Sequence, residues 1–245
     1  MKLLLSAFSV VFFCSAASAF HPLITEDTNF LGKDVRQAAG AFEYSASEEG
    51  PDTYSTGASA ELSYGLYDDL DLLVAVPWQG WTSHGVSESG LGDVALAAKF
   101  AVARRGGWTF ALKPGFSLPA GNESRSLGAG KGGIRVDALA GLEAGPVQYY
   151  LNAGYFYNRN SVGEEEDILR ASAAAVYALS PKFSAAADLA LETNAEKGAV
   201  SHPAYGLFGL VWSPLPALDL DAGVRLGLTG SAEDLGLLAG ITLRL

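Results

Sequence analysis

Leu235-Gly-Leu-Leu-Ala-Gly-Ile-Thr-Leu-Arg-Leu245 closes the chain, and its period decides the fold. Counted in twos, Leu235, Leu237, Ala239, Ile241, Leu243 and Leu245 share one face, while Gly236, Gly240, Thr242 and Arg244 share the other. Only Leu238 breaks the alternation. Wound as a helix, the same residues spread leucines around most of the circumference and carry two glycines, so the spacing predicts a strand. A strand needs a neighbour on each edge, and a terminal strand finds its second one most simply if the sheet closes on the first strand. The expectation is an all-β protein built as a closed antiparallel up-and-down barrel.

The rest of the chain from residue 35 repeats the pattern in about twelve segments of roughly ten residues, the length of tilted membrane strands. Two kinds of connection alternate between them. The tight ones are Asp68-Asp69, Arg105-Gly106-Gly107, Gly145-Pro146, Ser180-Pro181-Lys182 and Pro214-Leu215-Pro216. The long polar ones run from Glu48 to Asp52, Gly80 to Gly90, Ala120 to Gly132, Arg159 to Glu166, Asn194 to His202 and Gly230 to Asp234. Short turns at one rim and long loops at the other are the pattern of an outer-membrane barrel. Ala171 to Leu179 has helical propensity, but Ser180-Pro181 stops it at strand length and its alternation keeps the common phase. Pro203 to Trp212 fits either phase.

One phase carries Leu70, Leu72, Val74, Val76 and Trp78, then Val94 to Val102, Ile134 to Leu142 and Leu218 to Leu228 in steps of two. The other phase takes the charges. Aromatics on the apolar phase gather at segment ends: Tyr64, Phe100, Trp108, Tyr149, Tyr177 and Phe183 toward the short-turn rim, and Tyr44, Tyr54, Trp78, Phe116 and Tyr157 toward the long-loop rim. Two aromatic girdles around an aliphatic band match the two interfaces of a membrane, so the apolar face is expected outward and the charged face around a polar lumen.

Residues 1–19 read as a signal peptide: Lys2 supplies the charge, Leu3 to Phe13 the apolar stretch, and Ala17-Ser18-Ala19 a cleavage site. The only cysteine, Cys14, falls inside it, so the exported chain has no disulfide, cysteine ligand or cysteine nucleophile. Residues 20–34 have no clear period and read as a periplasmic tail or a segment folded into the barrel mouth. Sixteen basic residues stand against 27 acidic ones, a net charge of −11, while mean hydropathy is +0.19. High average hydropathy without an apolar run of ~18 residues is what alternation produces. An acidic chain with no basic stripe excludes nucleic acid as a partner.

Gly90-Leu-Gly-Asp-Val-Ala-Leu-Ala-Ala-Lys-Phe100 resembles the signature of a bacterial outer-membrane family, the MetA-pathway of phenol degradation proteins, often described as transporters. Leu72 to Pro77, Pro119-Ala-Gly-Asn122 and His21-Pro-Leu-Ile-Thr-Glu-Asp-Thr28 extend the resemblance over nearly the whole chain after the signal. The ending Gly240-Ile-Thr-Leu243-Arg-Leu245 resembles the signal read by the barrel-assembly machinery, with Leu in place of the usual final aromatic. The resemblance implies uptake of aromatic or other small compounds, with family-motif residues Gly90, Gly92, Asp93 and Lys99, and implies no mechanism.

The chemistry-bearing residues point away from catalysis. Gly90-Leu-Gly-Asp93 lacks the following helix and the Lys-Ser/Thr of a phosphate loop. His84, among Ser83, Ser87, Glu88 and Ser89, lies in an expected flexible loop that offers a base no support. His21 with Glu26 and Asp27, or His202 alone, makes a weak metal site, and no cofactor is expected. Glu164-Glu-Glu-Asp167, with Glu48, Glu49, Glu123 and Glu233, reads as a solvated loop surface or as carboxylates bridged by divalent cations to lipopolysaccharide.

The expected lumen-lining charges are Lys99, Lys113, Arg135, Arg225 and Arg244 against Glu43, Glu61, Asp71, Asp93, Asp137, Glu143, Asp188, Asp219 and Asp221. They either bias passage toward cations or pair with one another and keep the lumen wet. Tyr150, Phe156 and Leu73 share that face. About twelve strands leave a narrow or partly blocked bore. The reading is a non-enzymatic barrel in the outer membrane, in contact with its lipid and lipopolysaccharide, that passes or binds a small-molecule solute. The alternative is a structural or adhesive barrel that acts through its acidic loops.

Overall fold

In the computed structural model, which describes residues 21–47 and 53–245, the alternating segments become strands. In chain order they are β1 (Arg36–Ala46), β2 (Tyr54–Tyr67), β3 (Leu70–Ser83), β4 (Val86–Leu91), β5 (Val94–Arg105), β6 (Trp108–Leu118), β7 (Gly133–Ala144), β8 (Val147–Tyr157), β9 (Asp167–Ser180), β10 (Phe183–Glu192), β11 (Ala204–Leu215), β12 (Leu218–Gly227) and β13 (Leu235–Arg244). Neighbours in sequence pair antiparallel, except that β4 and β5 both pair with β3, and β13 pairs with β1 from Gln37 opposite Arg244 to Ala46 opposite Leu235. The sheet is therefore a closed barrel. It has twelve staves because β4 and β5 are two halves of one: β4 pairs with the end of β3 and β5 with its beginning. The division falls at Gly92-Asp93, opposite Pro77, which has no N–H for the ladder, while Gly92 N–H bonds the Pro77 carbonyl at 2.9 Å.

The faces follow the expected phase. Leu62, Leu151, Leu189, Phe208 and Leu210 are among many large apolar side chains turned half or more out of the wall. At about 25 cal/mol per Å² of apolar surface, such a belt requires hydrocarbon around it, and closure leaves no strand edge unpaired there. Stacked pairs Tyr44 with Tyr54 and Phe183 with Trp212 stand at opposite rims. The ambiguous Pro203 to Trp212 is settled by packing: Phe208 is 65 % exposed and Leu207 fully buried, so β11 turns an apolar residue into the lumen.

The connections require one correction. Gly80 to Gly90 is not a long loop. β3 runs to Ser83, β4 begins at Val86, and a two-residue hairpin turn at His84-Gly85 joins them, both with positive φ. A ladder that rises past the membrane needs no apolar face, so its polar sequence resembles a loop. The signal reading (1–19), Phe20 and the loop Glu48 to Asp52 lie outside the described residues.

Candidate functional site

The bore is occupied from the short-turn rim to mid-height by the segment that precedes β1. It enters beside the Asp68-Asp69 turn, where Lys33 N–H bonds Asp68 at 3.1 Å and Asp34 N–H bonds the Gly65 carbonyl at 2.8 Å. Leu31 N–H lies 3.3 Å from both Asp71 oxygens. The chain then crosses the lumen wall strand by strand. Asp27 meets the Lys99 ammonium of β5 at 3.3 Å, and Lys99 also donates to the Asn29 carbonyl at 2.5 Å. Glu26 meets Lys113 of β6 at 2.5 Å. Ile24 N–H, Thr25 N–H and the Thr25 hydroxyl all reach Asp188 of β10 at 2.7 Å. His21 Nδ1 lies 2.5 Å from Asp221 of β12.

The segment has no regular structure of its own, so wall side chains must satisfy its polar groups, and buried ion pairs do much of that. Close approach is also built into the wall: a Cβ on Gly141 would collide with Thr28, and one on Gly209 with Pro22. Leu23 packs in a buried cluster with Tyr150, Ala174, Val176, Ala186, Leu207 and Leu238. That explains the exception at the chain end. Leu238 leaves the alternation because its inward side, 8 % exposed, lies in this cluster.

The other expected lumen charges fall into three groups. At the short-turn rim, Asp219 pairs with Arg244 and accepts from the Ser213 hydroxyl, while Glu143 is exposed near the end of β7 and lines a rim cavity. Nearer mid-height, Glu61 is buried with Ser63 donating to it at 2.9 Å, and Asp137 is chelated by Arg135 from its own strand at 2.7 and 3.1 Å. Toward the long-loop rim, Arg225 meets Glu43 at 2.5 Å and Glu233 at 3.0 Å, and lies over the Tyr205 ring. Glu233 thus turns into the barrel and does not belong to a solvated loop face. Burial raises its pKa above the usual carboxylate value, with Arg225 opposing the rise.

Asp93 is also corrected. Its carboxylate accepts from Gly121 N–H at 2.9 Å and Ala129 N–H at 2.8 Å, which anchors the loop between β6 and β7 and not an open bore. Leu127 of that loop is buried, and a side chain on Gly90 would press on it. Gly90, Gly92 and Asp93 are therefore a loop clasp, while Lys99, the last residue of the motif, serves the segment in the lumen. His84 stands at a hairpin tip; Tyr150 and Leu73 are buried inward.

Sequence reasoning missed the lumen roles of Glu26, Asp27, Thr25 and His21, because an aperiodic stretch says nothing of what it lies against. It also passed over Arg170, which is buried and on the charged phase, as the outward phase of Leu169 and Ala171 already implied.

No curated protein matches the chain. Among solved structures, an outer membrane channel from Pseudomonas putida F1 shares the fold with a TM-score of 0.72 at 14 % identity, over 89 % of this chain and 98 % of that one. The KdgM porin matches with a TM-score of 0.55 at 11 % identity, over 84 % of this chain and 98 % of its own. The fold is that of outer-membrane barrels. The family model described as "Putative MetA-pathway of phenol degradation" matches residues 20–245, and the chain belongs to that family.

Proposed function

We propose that the protein is an outer-membrane channel for small molecules whose bore is closed in its short-turn half by residues 21–34 and opens when that segment shifts. The observation that carries the reading is the way the segment is held. Its fastenings to Asp71, Lys99, Lys113, Asp188 and Asp221 are separate side-chain bonds, each exchangeable with water, and no strand ladder has to break to release it. A closed ladder in hydrocarbon has no such freedom. The porin and channel of like fold support this reading by their names. On it, the signal at 1–19 and the assembly machinery deliver the barrel to the outer membrane, with the short turns facing the periplasm. The lumen residues are expected to bind and orient solute and to do no covalent chemistry.

Ion conductance in planar bilayers tests the reading. The native protein is expected to show low conductance with brief openings, which variants that loosen the segment lengthen. A barrel that stays silent in every such variant overturns the channel and favours a structural barrel that works through its loops.

A further inference from the structure

The surface that seats the segment has a chemistry of its own. Ala174 and Val176 of β9, Ala186 of β10, Leu207 of β11 and Leu238 of β13 form an apolar patch on a wall that elsewhere carries charges, and Tyr150 borders it. A water-filled bore gains nothing from such a patch. Beside it stands Asp188, whose two oxygens take three hydrogen bonds from donors on one side, all at 2.7 Å, none of them charged. The patch therefore accepts an apolar body, and the carboxylate accepts neighbouring neutral donors. Tyr150 also lines a second space: its hydroxyl takes a bond from Asn29 at 3.3 Å, and both residues border a cavity of about 230 Å³ among Thr28, Phe30, Arg104 and Glu143 at the short-turn rim. About 150 Å³ is enough for a benzene-sized ring, so a single six-membered ring leaving the patch past Tyr150 has room at the rim.

We propose that the lumen face under Leu23, Ile24 and Thr25 is a solute seat: a neutral molecule with one apolar ring and two adjacent hydroxyls replaces Leu23 on the patch and the segment's donors on Asp188, and so lifts the segment. This deepens the channel reading above and rests on it. Solute and segment compete, so the apparent affinity for solute rises as the segment's grip weakens.

The test is calorimetric titration of the full exported chain in detergent with trans-1,2-cyclohexanediol and with its dimethyl ether, which keeps the ring and loses the donors. The diol is expected to bind and the ether not. Leu23→Ala, which weakens the competitor, is expected to tighten diol binding about tenfold. Thr25→Val removes one competing donor without touching the wall and is expected to tighten it as well. Asp188→Asn is expected to erase the preference for diol over ether. Equal binding of diol and ether, binding of neither, or diol affinity unchanged in both Leu23→Ala and Thr25→Val overturns the seat. Conductance of the same preparations keeps the two readings apart. A conducting barrel without diol preference loses the seat alone, and a silent barrel with diol preference loses the channel alone.

Discussion

The wall and the segment inside it are held by opposite means. Every full-length stave is paired with a neighbour on each side, and only the short β4, whose single partner is β3, departs from this, so the wall's backbone groups are satisfied by one repeated geometry. Residues 21–34 make no ladder, and a handful of unlike side-chain contacts fixes them, among them the lysine–carboxylate pairs at Asp27 and Glu26. In hydrocarbon the first arrangement opens only as a unit, because a single broken bond strands a polar group. The second can be taken apart bond by bond. One barrel thus combines a part that must not move with a part that can.

The largest expected effect breaks the second arrangement and leaves the first. Lys99→Met together with Lys113→Met strands Asp27 and Glu26 without their ammonium partners; loss of one member of a buried pair costs about 3–5 kcal/mol. Conductance in planar bilayers should rise severalfold while the barrel still migrates as folded on unheated gels. An unchanged current would show that the segment does not limit flow. The reverse perturbation, Leu151→Arg, puts a charge on the lipid face near mid-strand, where about 2–4 kcal/mol is lost. The folded fraction in urea should fall, and the molecules that fold should conduct as the native protein does.

Smaller effects sharpen the contrast. Thr25→Val deletes one hydrogen bond to the Asp188 carboxylate, worth about 1.5–3 kcal/mol, and should lengthen open times without shifting the urea midpoint. Asp69→Asn loosens its pair with Arg104, but both side chains are about half exposed, so less than about 1 kcal/mol is at stake. Neither stability nor conductance should change measurably. A large response there would mean that the rim turn helps to hold the segment where it enters.

The alternation of the last strand, the placing of aromatics at segment ends and the two classes of connection were enough to read a closed barrel with its apolar face outward. Each is a local pattern with a period of two, and the pleat repeats it without needing distant partners. The features that resisted that reading were places where the periodic rule is suspended for something elsewhere in the chain. Leu238 and Leu207 are apolar on the charged phase because Leu23 lies against them. Gly80 to Gly90 looked like a loop because strands above the membrane lose their apolar phase. Asp93 looked like a lumen charge because its partners, Gly121 and Ala129, lie about thirty residues away in a loop with no period.

The sequence by itself determined the class of fold and the direction of the greasy face, and it set the strand charges on the opposite phase, since all three follow from residue spacing. Only the tertiary structure decided what those charges hold. A lysine on a barrel strand carries no mark of whether it faces water, a neighbouring acid or a segment seventy-two residues earlier, as Lys99 does. The energy of that choice lies in contacts between parts of the chain that closure of the barrel brings together.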